Sequence, residues 1–293
     1  MGLVTISLLW AVFGGSAVKT AGLEACLAPL AKSHKGKVAI AVKHLGTGES
    51  YYLHADEPMP TASLIKLAVM MEVYQQADEG KVRLTDKVTL RQEDKVPGSG
   101  ILTEHFSDGA CFSLRDAVRL MIVYSDNTAT NLVLDRIGIA STNRRMQAWG
   151  YPNTRIHAKV FRGSTTSVDP ARTRKFGLGS TTAREMVGLL EDLETGKHFR
   201  PALKQVILGH LKKCDDKDKF TRLLPPGTVV AHKTGQVSDA RTDAGILYLP
   251  GGPVALCVLT CDNADRAWRP DNAGNVFCAK VAREVYEYFQ KRP

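Results

Sequence analysis

Three short polar motifs stand in fixed order along the 293-residue chain: Ser63-Leu64-Ile65-Lys66, Ser125-Asp126-Asn127 and Lys233-Thr234-Gly235. A serine hydroxyl attacks poorly at neutral pH unless a base lies within hydrogen-bond reach and donors are aimed at the developing oxyanion. Residues three apart share one face of a helix, which sets Lys66 one turn above Ser63. The run Thr61 to Ala77 carries Leu64, Ile65, Leu67, Ala68, Val69, Met71 and Val73, apolar enough for a buried helix that begins near Ser63. There the unpaired amides and the positive end of the helix dipole favour negative charge on the serine and on the oxygen it attacks. A lysine buried on such a helix near other cations loses basicity, and only its neutral amine can take a proton. The chemistry that suits this arrangement is acyl transfer through a serine ester.

Alone, S-x-x-K carries little information, because Ser16-Ala17-Val18-Lys19 repeats it near the N-terminus. The other motifs add context. Ser125-Asp126-Asn127 separates the apolar runs 120–124 and 132–134, as a loop between two buried helices would, with Asp126 as the cap of the second. Val229 to His232 precede Lys233 as a β-branched strand, and Gly235 leaves room for a substrate backbone against the strand edge.

With Asn127-Thr128-Ala129-Thr130-Asn131-Leu132, the three motifs at these separations resemble the class A β-lactamases and penicillin-binding serine enzymes over nearly the whole chain. The resemblance implies hydrolysis of a β-lactam through an acyl-enzyme on Ser63, with Lys66 as its base and Ser125 passing a proton to the leaving nitrogen. It implies that Asn127, Lys233, Thr234 and Gly235 bind substrate, Asn127 at its amide side chain and Lys233 and Thr234 at its carboxylate. The backbone N–H groups of Ser63 and Gln236 would form the oxyanion hole. Two alternatives stay open: a D-alanyl-D-alanine peptidase, and a sensor of β-lactam or peptidoglycan peptides that does not turn over.

One part of the family pattern is missing. The glutamate that activates the deacylating water, in Glu-x-x-Leu-Asn, is expected near Val160, within Lys159-Val160-Phe161-Arg162. Between Asp135 and Glu185 the only carboxylate is Asp169. Asp169 is either a replacement base held ionised by nearby arginines or a loop residue paired with Arg172. Without a substitute base, release of the acyl group is expected to be slow.

The elements that must position these residues follow from periodicity and turn signals. Strands are expected at 38–42 and 49–53 around Gly46-Thr47-Gly48, then at 228–232, 243–249 and 254–260, with a last helix over 272–290. From Ala62 to Leu211 the pattern is helical, with amphipathic runs 113–124, 142–149 and 182–193, the last entered through Ser180-Thr181-Thr182. The expected fold is α/β (α+β) of the β-lactamase type: a five-stranded antiparallel sheet with flanking terminal helices, from residues 22–61 and 212–293. An all-helical domain, residues 62–211, is inserted, and the site is expected in the cleft between the two.

At 44% hydrophobic and 24% charged residues the composition is that of a globular protein. The formal charge of +9 is dispersed and no basic motif interleaves with aromatics, so no nucleic-acid partner is expected. There is no nucleophile elbow, zinc motif or phosphate loop, and Thr182 stands where a dinucleotide fingerprint starting at Gly177 needs its third glycine. No metal or cofactor is expected. Leu3 to Phe13 is apolar but too short to span a bilayer, and Gly15, Ser16 and Ala17 follow. This reads as an export leader over residues 1–21, giving a periplasmic or secreted monomer without stable membrane insertion. Six cysteines suit an oxidising compartment, though Cys257 and Cys261 are too far apart along one strand to bond each other.

Overall fold

The computed structural model describes residues 21–290, so residues 1–20 of the expected leader, with their copy of S-x-x-K, lie outside the described residues. Helix α1 (Ala21–Ser33) leads into β1 (Lys37–His44), β2 (Ser50–Leu53) and the short β3 (Met59–Pro60). A 3-10 turn, Ala62–Ile65, opens α2 (Lys66–Asp78). There follow β4 (Lys87–Thr89), α3 (Leu102–His105), β5 (Cys111–Ser113), α4 (Leu114–Val123), α5 (Asn127–Ile137) and α6 (Ile139–Ala148). Next come β6 (Arg155–Ile156), α7 (Gly163–Thr166), α8 (Pro170–Phe176), β7 (Gly179–Thr181), α9 (Ala183–Thr195) and α10 (Pro201–Leu211). The chain ends with β8 (Val229–Val237), β9 (Ala240–Leu249), β10 (Gly252–Cys261) and α11 (Ala273–Gln290).

Five strands pair antiparallel in the order β2-β1-β10-β9-β8, so the two ends of the chain meet where Ile40 of β1 lies opposite Val258 of β10. Side chains alternate between the faces of this sheet. Val38, Ile40, Val42, Val254, Leu256 and Val258 join Leu23 and Leu27 of α1 and Phe277, Val281 and Val285 of α11 in one core. The residues between them, Ala39, Ala41, Ala255, Cys257 and Leu259, point to the second core, shared with α2 and α9. Helix α2 is buried on every side over most of its length, with Leu67, Val69, Met70, Val73 and Tyr74 fully buried, and forms the centre of the helical part. Caps expected from the sequence are present: Asp126 Oδ1 accepts from Ala129 N at 2.7 Å at the start of α5, and Thr182 Oγ1 accepts from Glu185 N at 3.1 Å at the start of α9.

The segment read as all-helical also carries strands β4 to β7: β4 pairs with β5, and β7 and β6 form a small sheet with β3 from just ahead of the segment. Strands of two or three residues are too short to leave a period-two pattern. Strand β8 runs further than expected and includes the whole of Lys233-Thr234-Gly235 with Gln236, because a two-residue turn at 238–239 continues the β8–β9 pairing out to Val237 opposite Ala240. Among the described residues no helix is long and apolar enough to cross a membrane, and no cluster of His, Cys, Asp or Glu could hold a metal ion. All six cysteines lie among the described residues and are free.

Candidate active site

Ser63 sits in the 3-10 turn just ahead of α2 rather than in the helix itself, and Ala62 before it has a left-handed backbone, φ +47°. The turn is pinned to the sheet: Thr242 Oγ1 donates to Thr61 O at 2.9 Å. Gly235 is what allows this contact. A Cβ there would stand 2.5 Å from Thr61 O and 2.9 Å from Leu64 N. The space left by the missing side chain is therefore filled by the turn that carries Ser63, not by substrate as the sequence suggested.

Lys66 is fully buried, and its amine donates to Ser125 O at 2.6 Å and Asn127 Oδ1 at 2.9 Å, with Ser125 Oγ at 3.3 Å. Burial first, then the charge of Lys233, push its pKa well below the usual lysine value, against the smaller pull of Asp126. Two close acceptors satisfy the two N–H groups of a neutral amine and leave its lone pair free to take a proton. Lys233 is equally buried, donating to Ser125 Oγ at 3.1 Å and Thr234 O at 2.8 Å. Burial lowers its pKa as well, but Cys214 and Asp216 oppose the shift by favouring the charged form. Ser125 thus bridges the two lysines from a left-handed backbone, φ +55°. Such strain in a residue other than glycine costs of order 1–3 kcal/mol and persists where surrounding contacts enforce it. Here they are Lys66 on Ser125 O and Asp126, whose Oδ2 also accepts from Ile101 N and Leu102 N at 2.7 and 2.8 Å.

Two hollows meet at Ser63. One, of about 570 Å³, is lined by Ser125, Asp215, Asp216, Lys233, Thr234 and Gly235. The other, of about 530 Å³, is lined by Asn127, Val160, Phe161, Leu178, Val237 and Trp268. Ser63, Ser99 and Gln236 border both. The first is polar and the second largely apolar, a division that suits a ligand with an anionic end and an apolar end. A third hollow of about 580 Å³ between α1 and α11 contains no motif residue.

Residues 22–289 match the family model described as the beta-lactamase enzyme family. The chain belongs to that family. A beta-lactamase of Bacillus licheniformis is 28% identical over 238 residues, spanning 80% of this chain and 74% of that one. The crystal structure of a beta-lactamase from Sphaerobacter thermophilus is 27% identical with a TM-score of 0.81, covering 94% of this chain and 100% of that one. A mutant of PBP-A, solved as an acyl-enzyme complex with penicillin G, is 25% identical with a TM-score of 0.78, covering 92% and 96%.

Against this family background, the fold brings Ser63, Lys66, Ser125, Asn127, Lys233, Thr234, Gly235 and Gln236 to one cleft but leaves Asp169 out. Asp169 borders neither hollow; it caps α8, its Oδ1 accepting from Arg172 N at 3.0 Å, and its side chain is 44% exposed. The backbone hydrogen bond from Arg172 holds its pKa below the usual carboxylate value. This corrects its expected role as a replacement base: the residue before Pro170 is used to start a helix. Asp169→Asn, which keeps a capping oxygen, is expected to leave the lifetime of any acyl-enzyme unchanged by intact-mass time course. A change in that lifetime would put Asp169 back among the catalytic groups.

Val160 does face the apolar hollow. Its main chain is gripped by Asn131, whose Oδ1 accepts from Val160 N at 2.8 Å and whose Nδ2 donates to Val160 O at 3.0 Å. Among the described residues no carboxylate lines that hollow. Lys159, its one charged residue, turns its amine to Asp135.

Three features escaped the sequence reading. Lys219 is a fully buried lysine that donates to Asp216 Oδ2 at 2.6 Å and reaches Gln236 Oε1 at 3.4 Å. It stands in the run Asp215-Asp216-Lys217-Asp218-Lys219, which reads as a solvated charge cluster. Its ion pair holds Asp216 down to about 2 despite burial. Behind Lys233, His232 Nδ1 lies 3.0 Å from Asp243 Oδ1. Burial would lower the pKa of His232, but Asp243 and then Cys214 outweigh it and raise the pKa above the usual histidine value. Last, Phe161 and Trp268 reach the cleft from loops whose course periodicity does not reveal.

Proposed function

We propose that this protein is a β-lactam-hydrolysing serine enzyme in which Ser63 forms the acyl-enzyme quickly and loses it slowly. The single observation that supports this best is the Lys66–Ser125–Lys233 chain: a buried amine with depressed basicity, three residues after Ser63, and a buried cation 3.1 Å from the same Ser125 hydroxyl. Ser63 Oγ bonds to the lactam carbonyl carbon and the C–N bond opens. Lys66 takes the serine proton, and Ser125 hands a proton to the departing nitrogen. Backbone N–H groups of Ser63 and Gln236 hold the oxyanion. Lys233 and Thr234 hold the carboxylate in the polar hollow, with Lys219 behind them. Asn127 holds the acylamino group on the apolar side. Water must then cleave the ester, and among the described residues no carboxylate lines the apolar hollow to activate it. The expected location is outside the cytoplasm, where β-lactams and peptidoglycan peptides are met.

Intact-mass measurement after mixing with benzylpenicillin tests both halves. The expected record is an adduct equal to the whole penicillin, formed fast and decaying slowly. No adduct and no hydrolysis would defeat the reading. The empty base position also keeps a second reading in play, a D-alanyl-D-alanine peptidase. Faster acylation by an acyl-D-Ala-D-Ala peptide than by penicillin would favour it.

Lys233→Ala is expected to raise KM for penicillin about ten- to hundredfold, the worth of one charge-assisted hydrogen bond, with a smaller change in kcat. A pure kcat loss with KM unchanged would show that Lys233 serves the proton relay and not the carboxylate.

A further inference from the structure

Behind the carboxylate end of the cleft lies a cluster that the acylation chemistry does not use. Cys214 follows α10 and lines the polar hollow with Ser125, Lys233 and Thr234, although it is only 2% exposed. Its thiol is in no disulfide and is hydrogen-bonded to His232. Nδ1 of that imidazole lies 3.0 Å from Asp243 Oδ1, and both residues are buried. Asp243 is fixed in turn, its Oδ2 accepting from Phe220 N at 3.1 Å. Room for the imidazole comes from Gly245, which faces His232 across the strand pair: a Cβ there would stand 2.4 Å from His232 Cβ. A thiol bonded to an imidazole that a carboxylate orients is the arrangement of an activated nucleophile. Burial alone would raise the pKa of Cys214, but the charge and hydrogen bond of His232, then the charge of Lys233, pull it below the usual thiol value. The other buried thiols go the opposite way, since burial raises Cys257, Cys261 and Cys278.

We propose that Cys214, with His232 and Asp243 behind it, is a modification site for hydrogen peroxide, and that its oxidation disables the carboxylate end of the cleft. The thiolate sulfur attacks one peroxide oxygen, the O–O bond breaks, and the departing hydroxide takes from His232 the proton that the thiol gave up. Cys214 is oxidised to a sulfenic acid and the peroxide is reduced to water. Peroxide suits the site because a thiol 2% exposed at the wall of a hollow is closed to bulky electrophiles. The effect on the cleft rests on the proposed function, which seats the substrate carboxylate with Lys233 and Thr234. Oxidation adds an oxygen atom to the wall of that hollow and takes away the thiolate that favours the charged form of Lys233.

The first measurement uses the wild-type protein. It is exposed to hydrogen peroxide at neutral pH, sulfenic acid is trapped with dimedone, and the labelled residue is found by peptide mapping. Cys214 is expected to be trapped about tenfold faster than Cys111, which is exposed. Label that reaches Cys111 first, or never reaches Cys214, overturns the site. The second measurement is acylation by benzylpenicillin before and after oxidation. The penicillin concentration that gives the half-maximal rate is expected to rise about ten- to hundredfold, the worth of one charge-assisted hydrogen bond, and to fall back on treatment with dithiothreitol. In Cys214→Ser, peroxide is expected to leave that concentration at the variant's own untreated value. A peroxide effect that persists in Cys214→Ser overturns the switch, as does full oxidation of Cys214 with penicillin capture unchanged. A protein that captures no penicillin before treatment overturns the proposed function instead, and the peptide map still decides the thiol.

Discussion

Replacing Ser63 by alanine leaves no penicillin adduct at any time, and replacing Lys66 by alanine slows adduct formation by about a hundred- to ten-thousandfold, the usual worth of a general base. The two variants fail differently because they remove different things. Without Ser63 Oγ no ester can form. Without the Lys66 amine the hydroxyl remains but must give its proton to water. The pH profile carries the same distinction. Lys66 has to be neutral to act, and its pKa is depressed by burial and by Lys233, so acylation in the wild type weakens as pH falls and Lys66 becomes protonated. Lys233 has to be charged, so binding weakens on the alkaline side as it loses its proton. Lys66→Ala is expected to lose the acid limb and keep the alkaline one. A Lys66→Ala variant that acylates at the wild-type rate would move the base elsewhere, with Ser125 the next group in reach.

The second large effect is expected on release. Val160→Glu should shorten the life of the acyl-enzyme by about a hundred- to ten-thousandfold, again the worth of a base placed on a reacting water. Asn131 fixes the main chain of Val160 through two hydrogen bonds, so the new carboxylate is delivered by an ordered backbone into the hollow that Ser63 and Asn127 line. Val160 is 9% exposed, so the variant is expected to melt at a lower temperature than the wild type. Stopped-flow acylation followed by mass spectrometry separates the two steps: acylation near the wild-type rate with no accumulating adduct is the expected pair. An adduct as long-lived as before, in a folded variant, would show that water cannot be seated beside this position.

Most of the sheet was legible because its strands are buried on both faces and its hairpins are short. The cap at Asp126 was legible because a carboxylate between two apolar runs has few other uses. That Ser63 and Lys66 share one face could be read from their spacing, but Ser16 and Lys19 have the same spacing, so only the other two motifs singled the pair out. Gly235 was identified but for the wrong neighbour, because sequence does not reveal which backbone approaches a strand from the side. Asp169 was ambiguous for a related reason: a carboxylate before proline can cap a helix or reach across a loop, and only the fold decides. Lys219 could not be read at all. Burial of a lysine inside a charged run depends on Asp216 and on the side chain of Gln236, 17 residues away.

The carboxylate-free hollow beside Ser63 bears on what such a molecule can do for a cell. A protein that captures quickly and releases slowly works by headcount: each copy removes one drug molecule and is then spent for the life of the ester. Protection scales in proportion to the number of copies present and ends abruptly when drug outnumbers protein, whereas a fast catalyst fails gradually. Selection for more protection would act first on expression level, and only afterwards on the residue that Asn131 holds in place.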